Sequence, residues 1–142
     1  MKYLDKLDLA LSVAERLLGK PYIWGGDNPG EGFDCSGFVI EVLKSCGILP
    51  RSGDWTAHDL MNKFADSALD VPRAGCLIFW GNSGRATHVE MVCAVLDGTV
   101  YTIGASGGGS RTQSAADAVR DDAYIKIRPA KSNSLAVVNP FT

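Results

Sequence analysis

The residues best suited to chemistry in this sequence are Phe33-Asp34-Cys35-Ser36-Gly37-Phe38, where a glycine-rich stretch runs into an apolar segment of helical period. A helix N-terminus carries about half a positive charge and several N–H groups without intrahelical partners. Both favour a thiolate, so Cys35 is where a lowered thiol pKa is expected. A thiolate is a nucleophile, and the cysteine's own N–H is a candidate donor to an oxyanion. Gly37 leaves room for backbone or substrate behind the sulfur.

A nucleophilic thiol needs a base, and the sequence holds two histidines, His58 and His88. His88 opens an expected strand, His88-Val89-Glu90-Met91, after a turn at Gly81-Asn82-Ser83-Gly84. A strand end facing a helix N-terminus holds an imidazole rigidly. His58 falls on the polar side of an expected short helix, beside Asp59, and reads as a solvent-exposed helical residue. Cysteine and histidine meet only in the fold, so their spacing alone does not define a pair.

The other cysteines, Cys46, Cys76 and Cys93, sit among apolar residues and read as small buried hydrophobes. If residues 35–46 are one helix, Cys35 and Cys46 lie about 16 Å apart, whereas a disulfide needs Cα atoms within about 7 Å. The sequence has no CxxC, CxxxC or HxxxH spacing, so neither a metal nor another cofactor is expected.

The elements that must hold these groups follow from hydrophobic period. Leu4, Leu7, Leu11, Ala14, Leu17 and Leu18 recur at three- and four-residue steps, one face of a helix that ends at Gly19-Lys20-Pro21. A glycine-rich loop covers residues 22–32 and includes Gly25, Gly26, Pro29, Gly30 and Gly32. A second helix is expected over residues 36–46, with Phe38, Val39, Val42 and Leu43 inward and Gly47 as its stop. A third, shorter helix is expected over residues 56–64. After Pro72 the pattern changes to short apolar runs at residues 76–80, 89–96 and 100–105, with Asp97-Gly98 as a turn. Residues 124–128 alternate and add a fourth strand. Helices followed by an antiparallel sheet are the α+β order.

Bulk properties set outer limits. The chain of 142 residues has the length of one domain, expected to span residues 1–142. Fourteen Lys+Arg against sixteen Asp+Glu give a net charge of −2 and a pI near 5.6, which argues against a nucleic-acid partner bound through phosphate neutralisation. No apolar stretch approaches the ~20 residues of a membrane span. Asp5, Lys6, Asp8, Glu15 and Arg16 interrupt the N-terminal segment, so no secretory signal is expected, and synthesis in the cytoplasm is implied.

Five segments in order carry a resemblance: Tyr22-Ile23-Trp24-Gly25-Gly26, residues 32–39 around Asp34-Cys35-Ser36-Gly37, Gly47-Ile48-Leu49-Pro50-Arg51, Pro72-Arg73-Ala74-Gly75, and His88-Val89. Over about residues 5–110 the chain resembles the NlpC/p-sixty superfamily of papain-like cell-wall cysteine peptidases. The resemblance implies a papain-like α+β fold with N-terminal helices packed on a central antiparallel sheet. It implies hydrolysis of amide bonds in peptidoglycan stem peptides, often between D-glutamate and the diamino acid. Cys35 would be the nucleophile and His88 the general base, later the acid. Asp34 and Ser36 match positions that bind the stem peptide and its free amine, and Tyr22 matches a tyrosine near the sulfur and the oxyanion. From the residues alone, Asp34 also reads as a helix cap, Tyr22 as a core residue, and Trp24 chiefly as core.

The sequence departs from the family pattern in two places. The residue that orients the histidine is usually a polar side chain on the following strand; the matching position here is Gly104, in Thr102-Ile103-Gly104-Ala105. A glycine could serve only through its carbonyl, and Thr102, on the same strand face, is the alternative. Gly75-Cys76 stands where relatives carry Gly-Asp, a position of structural character. Glu90 shares a strand face with His88 and reads as a surface residue or one lining the cleft. The loop Ser106-Gly107-Gly108-Gly109-Ser110-Arg111 reads as a cleft wall, and it lacks the lysine of a phosphate-binding loop.

The expected function is thus a monomeric thiol peptidase acting on the bacterial cell wall after release or delivery, as a phage-type lysin or a secreted effector. The alternatives are a non-hydrolytic wall-binding module and a thiol acyltransferase or amidase on the same fold.

Overall fold

The computed structural model describes residues 3–28, 30 and 32–142. Pro29 of the expected loop, and the side chain of Leu4 on the expected helix face, lie outside the described residues. Helix α1 (Tyr3–Arg16) buries Ala10 and Ala14. The chain leaves it at Gly19, whose φ of 84° is the left-handed turn a glycine adopts freely. Two short strands, β1 (Asp27–Asn28) and β2 (Gly32–Phe33), pair antiparallel and lead into helix α2 (Cys35–Ser45). Helix α2 buries Phe38, Val39, Ile40, Val42 and Leu43, a wider apolar face than a surface helix carries, and packs against α1 and the sheet. Helix α3 (Ala57–Lys63) begins with a capping box, in which Thr56 Oγ1 accepts from the Asp59 N–H and Asp59 accepts from the Thr56 N–H. A 3-10 turn follows at Ala65–Ser67.

The second half is an antiparallel sheet of β3 (Leu77–Asn82), β4 (Arg85–Leu96), β5 (Thr99–Ser106), β6 (Tyr124–Pro129) and β7 (Ala136–Val138), in the order β6-β5-β4-β3-β7. Period-two alternation divides its residues. Leu77, Phe79, Val89, Met91, Ile103, Ala105 and Ile125 join the helices in the main core. Cys76, Ile78 and Val92 form a smaller cluster with Trp80, Val100, Ala130 and Val137 on the opposite face. The α+β expectation, the three helices and the four strands are all present. All four cysteines are free thiols, and Cys46 and Cys76 are buried.

Three differences have physical reasons. Strand β4 begins at Arg85, so His88 lies inside it rather than opening it. Ser83 and Gly84 both have positive φ, 53° and 75°, and close a tight two-residue turn that extends the pairing to Asn82↔Arg85. The Asp97-Gly98 turn has the same form, with φ of 51° and 81°. Helix α4 (Ala115–Asp121) was not expected; it is short and buries only Ala118, so it has little apolar period to read. Strand β7, three residues long, adds an edge beside β3.

The approach of the glycine-rich loop to α2 is the tightest feature near the reactive thiol. A Cβ on Gly37 would sit 2.1 Å from the Gly26 carbonyl oxygen, and that oxygen accepts the Asp34 N–H. Gly37→Ala should therefore lower the free energy of denaturant unfolding by about 1–3 kcal/mol. Gly109→Ala, where a Cβ meets nothing within 4 Å, should stay within about 0.5 kcal/mol of the parent.

Candidate active site

Cys35 is the first residue of α2, 9% exposed, and Asp34 before it is the N-cap. Asp34 Oδ1 accepts the Gly37 N–H at 2.7 Å and the Ser36 hydroxyl at 3.4 Å. The N–H groups of Cys35 and Ser36 have no carbonyl within the helix to bond. The Cys35 thiol lies 3.8 Å from the Thr87 carbonyl of β4, which ties the helix start to the strand bearing His88. The His88 ring is hydrogen-bonded to Glu90, and it lines one cavity with Cys35, close enough for the sulfur to influence its charge. The sheet and the helix therefore bring the predicted thiol and imidazole together.

The far side of the imidazole differs from the expectation. His88 Nε2 meets Glu90 Oε2 at 2.5 Å. Thr102 Oγ1 donates to Glu90 Oε1 at 2.5 Å, and Arg128 Nη2 lies 2.6 Å from Glu90 Oε2. Thr102 thus reaches the histidine only through Glu90, and the ring nitrogen expected to meet the Gly104 carbonyl is bonded to the Glu90 carboxylate instead. Glu90 is not a surface residue: it is 2% exposed. The Trp80 ring packs against His88 across the β3–β4 pair, with centroids 5.7 Å apart, and its indole N–H is bonded to the Ser132 carbonyl.

Electrostatics follow from this cluster. Burial is the largest influence on His88 and by itself lowers the pKa; its interactions with Cys35 and Glu90, and their negative charges, outweigh it and raise the value to about 9. Burial likewise acts to raise Glu90, yet the bonds from His88, Arg128 and Thr102 hold it down at about 2. Tyr22, 6% exposed, has its phenol pushed well above the usual range by burial and by the Cys35 and Asp34 charges. Burial also raises the Asp34 carboxyl, against the Gly37 and Ser36 bonds that lower it.

The thiol opens onto two cavities. One, of about 370 Å³, is lined by Asp27, Asp34, Ser36, Asp54, Trp55 and Arg85. The other, of about 470 Å³, is lined by His88, Ser106, the glycines at 107–109, Arg128 and Lys131. Tyr22, Trp24 and Cys35 border both. Trp24 is 54% exposed at this border, so it is not a core residue. The glycine-rich loop is a wall of the second cavity, and a Cβ on Gly108 would lie 2.2 Å from the Tyr22 ring. Ser106 is 3% exposed and its hydroxyl has no hydrogen-bond partner among the described residues. The register Met91↔Ile103 puts it opposite His88. His58 is half-buried rather than exposed; its Nδ1 accepts the Ala86 N–H at 3.1 Å and ties α3 to β4. Among the described residues no group of His, Cys, Asp or Glu could hold a metal, and no helix is long and apolar enough to cross a membrane.

Trp80 and Arg128 were not anticipated at the site, and Ser106 was anticipated only as part of the loop forming a cleft wall. Arg128 shares one face of β6 with Tyr124 and Lys126, against Ile125 and Ile127, and that alternation gives a face without saying which face is covered.

A helix-borne cysteine paired with a sheet-borne histidine on this topology defines a papain-like arrangement. The NlpC/P60 family model matches residues 19–128, and the chain belongs to that family. It is 38% identical over 90 residues to the bifunctional muramidase/DL-endopeptidase CwlT of Bacillus subtilis, covering 61% of this chain and 26% of that protein. It is 42% identical over 78 residues to a gamma-D-glutamyl-L-lysine dipeptidyl-peptidase of the same organism, covering 52% and 25%. The crystal structure of the NlpC/p60 domain of the peptidoglycan hydrolase SagA superposes with a TM-score of 0.61 at 25% identity, covering 94% of this chain and 97% of that one. The chain thus spans about a quarter of these two curated relatives.

The charged pair makes stability depend on pH with a defined sign. The raised His88 value contributes stability that is complete below pH 6.5 and is lost as pH rises through about 9. The lowered Glu90 value contributes stability that is complete above pH 4.5 and is lost as pH falls through about 2. Denaturant midpoints measured across pH should show the largest gap between the parent and His88→Ala from about pH 4.5 to 6.5. The gap should narrow on either side.

Proposed function

We propose that the chain is a cysteine peptidase that hydrolyses amide bonds in peptidoglycan stem peptides. The meeting of the Cys35 thiol with the His88 imidazole at the junction of two cavities carries this reading. In the first half-reaction His88 takes the thiol proton and the sulfur attacks the scissile carbonyl carbon. The resulting oxyanion lies near the free N–H groups of the first turn of α2, including that of Cys35. His88 then protonates the leaving amine, the C–N bond breaks, and a thioester remains on Cys35. In the second half-reaction His88 takes a proton from water, the hydroxyl adds to the thioester carbon, and the C–S bond breaks. The acid product leaves and the thiol regains its proton.

The two cavities differ in charge, which suits a zwitterionic peptide. Asp27, Asp34 and Asp54 make the first a place for an ammonium group, and Ser36 and Tyr22 border it. An ammonium there would offset the burial of Asp34, one oxygen of which already caps α2. Arg128 and Lys131 make the second favourable to a carboxylate, and the unpartnered Ser106 hydroxyl is a donor or acceptor for the same segment. A free amine on one side and a carboxylate-bearing diamino acid on the other describe a stem peptide cut after D-glutamate. The DL-endopeptidase and gamma-D-glutamyl activities named for the two Bacillus relatives support that bond. The setting is a phage-type lysin or a delivered effector that meets the wall from outside its site of synthesis.

Purified peptidoglycan incubated with the parent and with Cys35→Ala, followed by mass analysis of soluble fragments, tests the reading. The parent should release fragments ending in D-glutamate, and the variant should lose at least about a thousandfold of that rate. Equal release by both proteins, or none by the parent, would overturn it.

A further inference from the structure

We propose that Glu90, on the same strand as His88, is the positioning residue of the imidazole, and that Gly104 is a glycine because Glu90 fills the space its side chain would occupy. This rests on the thiol-peptidase reading for its consequence in catalysis, while the placement stands on geometry alone.

Period two puts His88 and Glu90 on one face of β4. The register Met91↔Ile103 sets Gly104 of β5 directly across from Glu90. A Cβ built on Gly104 would lie 2.6 Å from Glu90 Cγ and 3.2 Å from both Cβ and Cδ. Real Cβ atoms do not approach within 3.0 Å, so any side chain at 104 displaces Glu90 from its present course. That course ends at His88 Nε2. The position where the resemblance expects the orienting side chain is therefore empty because its task has moved to the neighbouring strand.

The carboxylate is held from two further strands. Thr102 of β5 donates to Oε1, and Arg128 of β6 reaches Oε2 across β5. Other groups facing the ring are Cys35 from α2 and the Trp80 indole from β3, and Lys131 and Tyr22 line the same cavity. With Nε2 engaged by Glu90, Nδ1 is left to exchange the proton with sulfur. The buried carboxylate fixes the ring's rotation and tautomer and stabilises the imidazolium that each half-reaction forms.

Two readouts separate this role from a purely structural one. The chain has two histidines, so their ring protons can be followed by NMR in the parent and in Glu90→Gln. The His88 titration should move down by more than about one pH unit in the variant. In peptide hydrolysis, Glu90→Gln should lower kcat on the order of tenfold to a hundredfold, leave KM nearly unchanged, and draw in the alkaline limb of the pH profile.

The exchange itself is tested by returning the side chain to β5. Gly104→Asn alone should lose activity because Glu90 blocks the new side chain. Glu90→Ala alone should lose it because the ring is unheld. The double variant Glu90→Ala/Gly104→Asn should regain at least about tenfold over either single variant, a gain that general instability does not produce. Unchanged His88 titration in folded Glu90→Gln, or full activity of Gly104→Asn, would overturn the proposal. If the parent releases nothing from peptidoglycan, the function fails, and the His88 titration still decides the role of Glu90.

Discussion

A carboxylate buried beneath an imidazole is the constraint on which the rest of the site depends. Taking Glu90 out of water costs several kcal/mol unless its lone pairs are satisfied. The structure satisfies them with three donors from three strands, His88, Thr102 and Arg128. The same arrangement reverses the ordinary effect of burial on His88, which would otherwise favour the neutral ring. Glu90 therefore stabilises the charged forms of His88 and Arg128, and they its own, so loss of Glu90 leaves two cations facing each other without their carboxylate, whereas loss of Thr102 leaves one carboxylate oxygen without a donor. Alignment of β4, β5 and β6 is in this sense a requirement of the chemistry as well as of the core.

A second constraint lies at the start of α2, where one carboxylate both caps the helix and lines a cavity beside the thiol. Asp34 must present one oxygen to the Gly37 N–H to begin the helix that carries Cys35. The glycine-rich loop must come close enough for the Gly26 carbonyl to meet the Asp34 N–H, which excludes a side chain at Gly37. Tyr22 and Trp24 are carried on that same loop to the border between the two cavities. The Tyr22–Gly26 and Asp34–Gly37 segments are thus one unit, and their sequence spacing reflects the chain length needed to fold back over the helix end.

Much of this was legible in the sequence, for identifiable reasons. Helix α2 has a capping residue before it, a continuous apolar face and Gly47 after it, so its limits were expected within one residue. The Cys35 and His88 positions were legible because a helix start and a strand are places of strong local signal. Glu90 was legible only in part. The period of two put it on the face of His88, yet that face is polar at 88, 90, 102 and 106 and reads as solvent-facing. Its cover depends on residues distant in sequence: Trp80, Arg128 and the segment leading into β7. No local pattern announces a sheet with a second, smaller core on its other side. Trp24 failed in the opposite sense, since an aromatic beside two glycines reads as core, whereas a cleft border leaves it half in water.

The position of the orienting carboxylate also decides how the catalytic geometry is protected. An orienting group on the neighbouring strand holds the imidazole only as well as the two strands hold their register, and a slip of one residue turns it to the other face. The β4–β5 pairing here has a register shift between Val92 and Ala94, and β3–β4 has another between Trp80 and Gly81. Irregularities of this kind twist and re-aim strands. His88 and Glu90 lie between the two shifts, on one continuous strand, so their separation is set by backbone geometry rather than by pairing. What β5 then supplies is the absence of a side chain at 104 and the Thr102 hydroxyl beside it, and β6 supplies the countercharge. The catalytic contact is thereby made local in sequence, and the long-range contacts are left to hold a carboxylate that the chain has already placed.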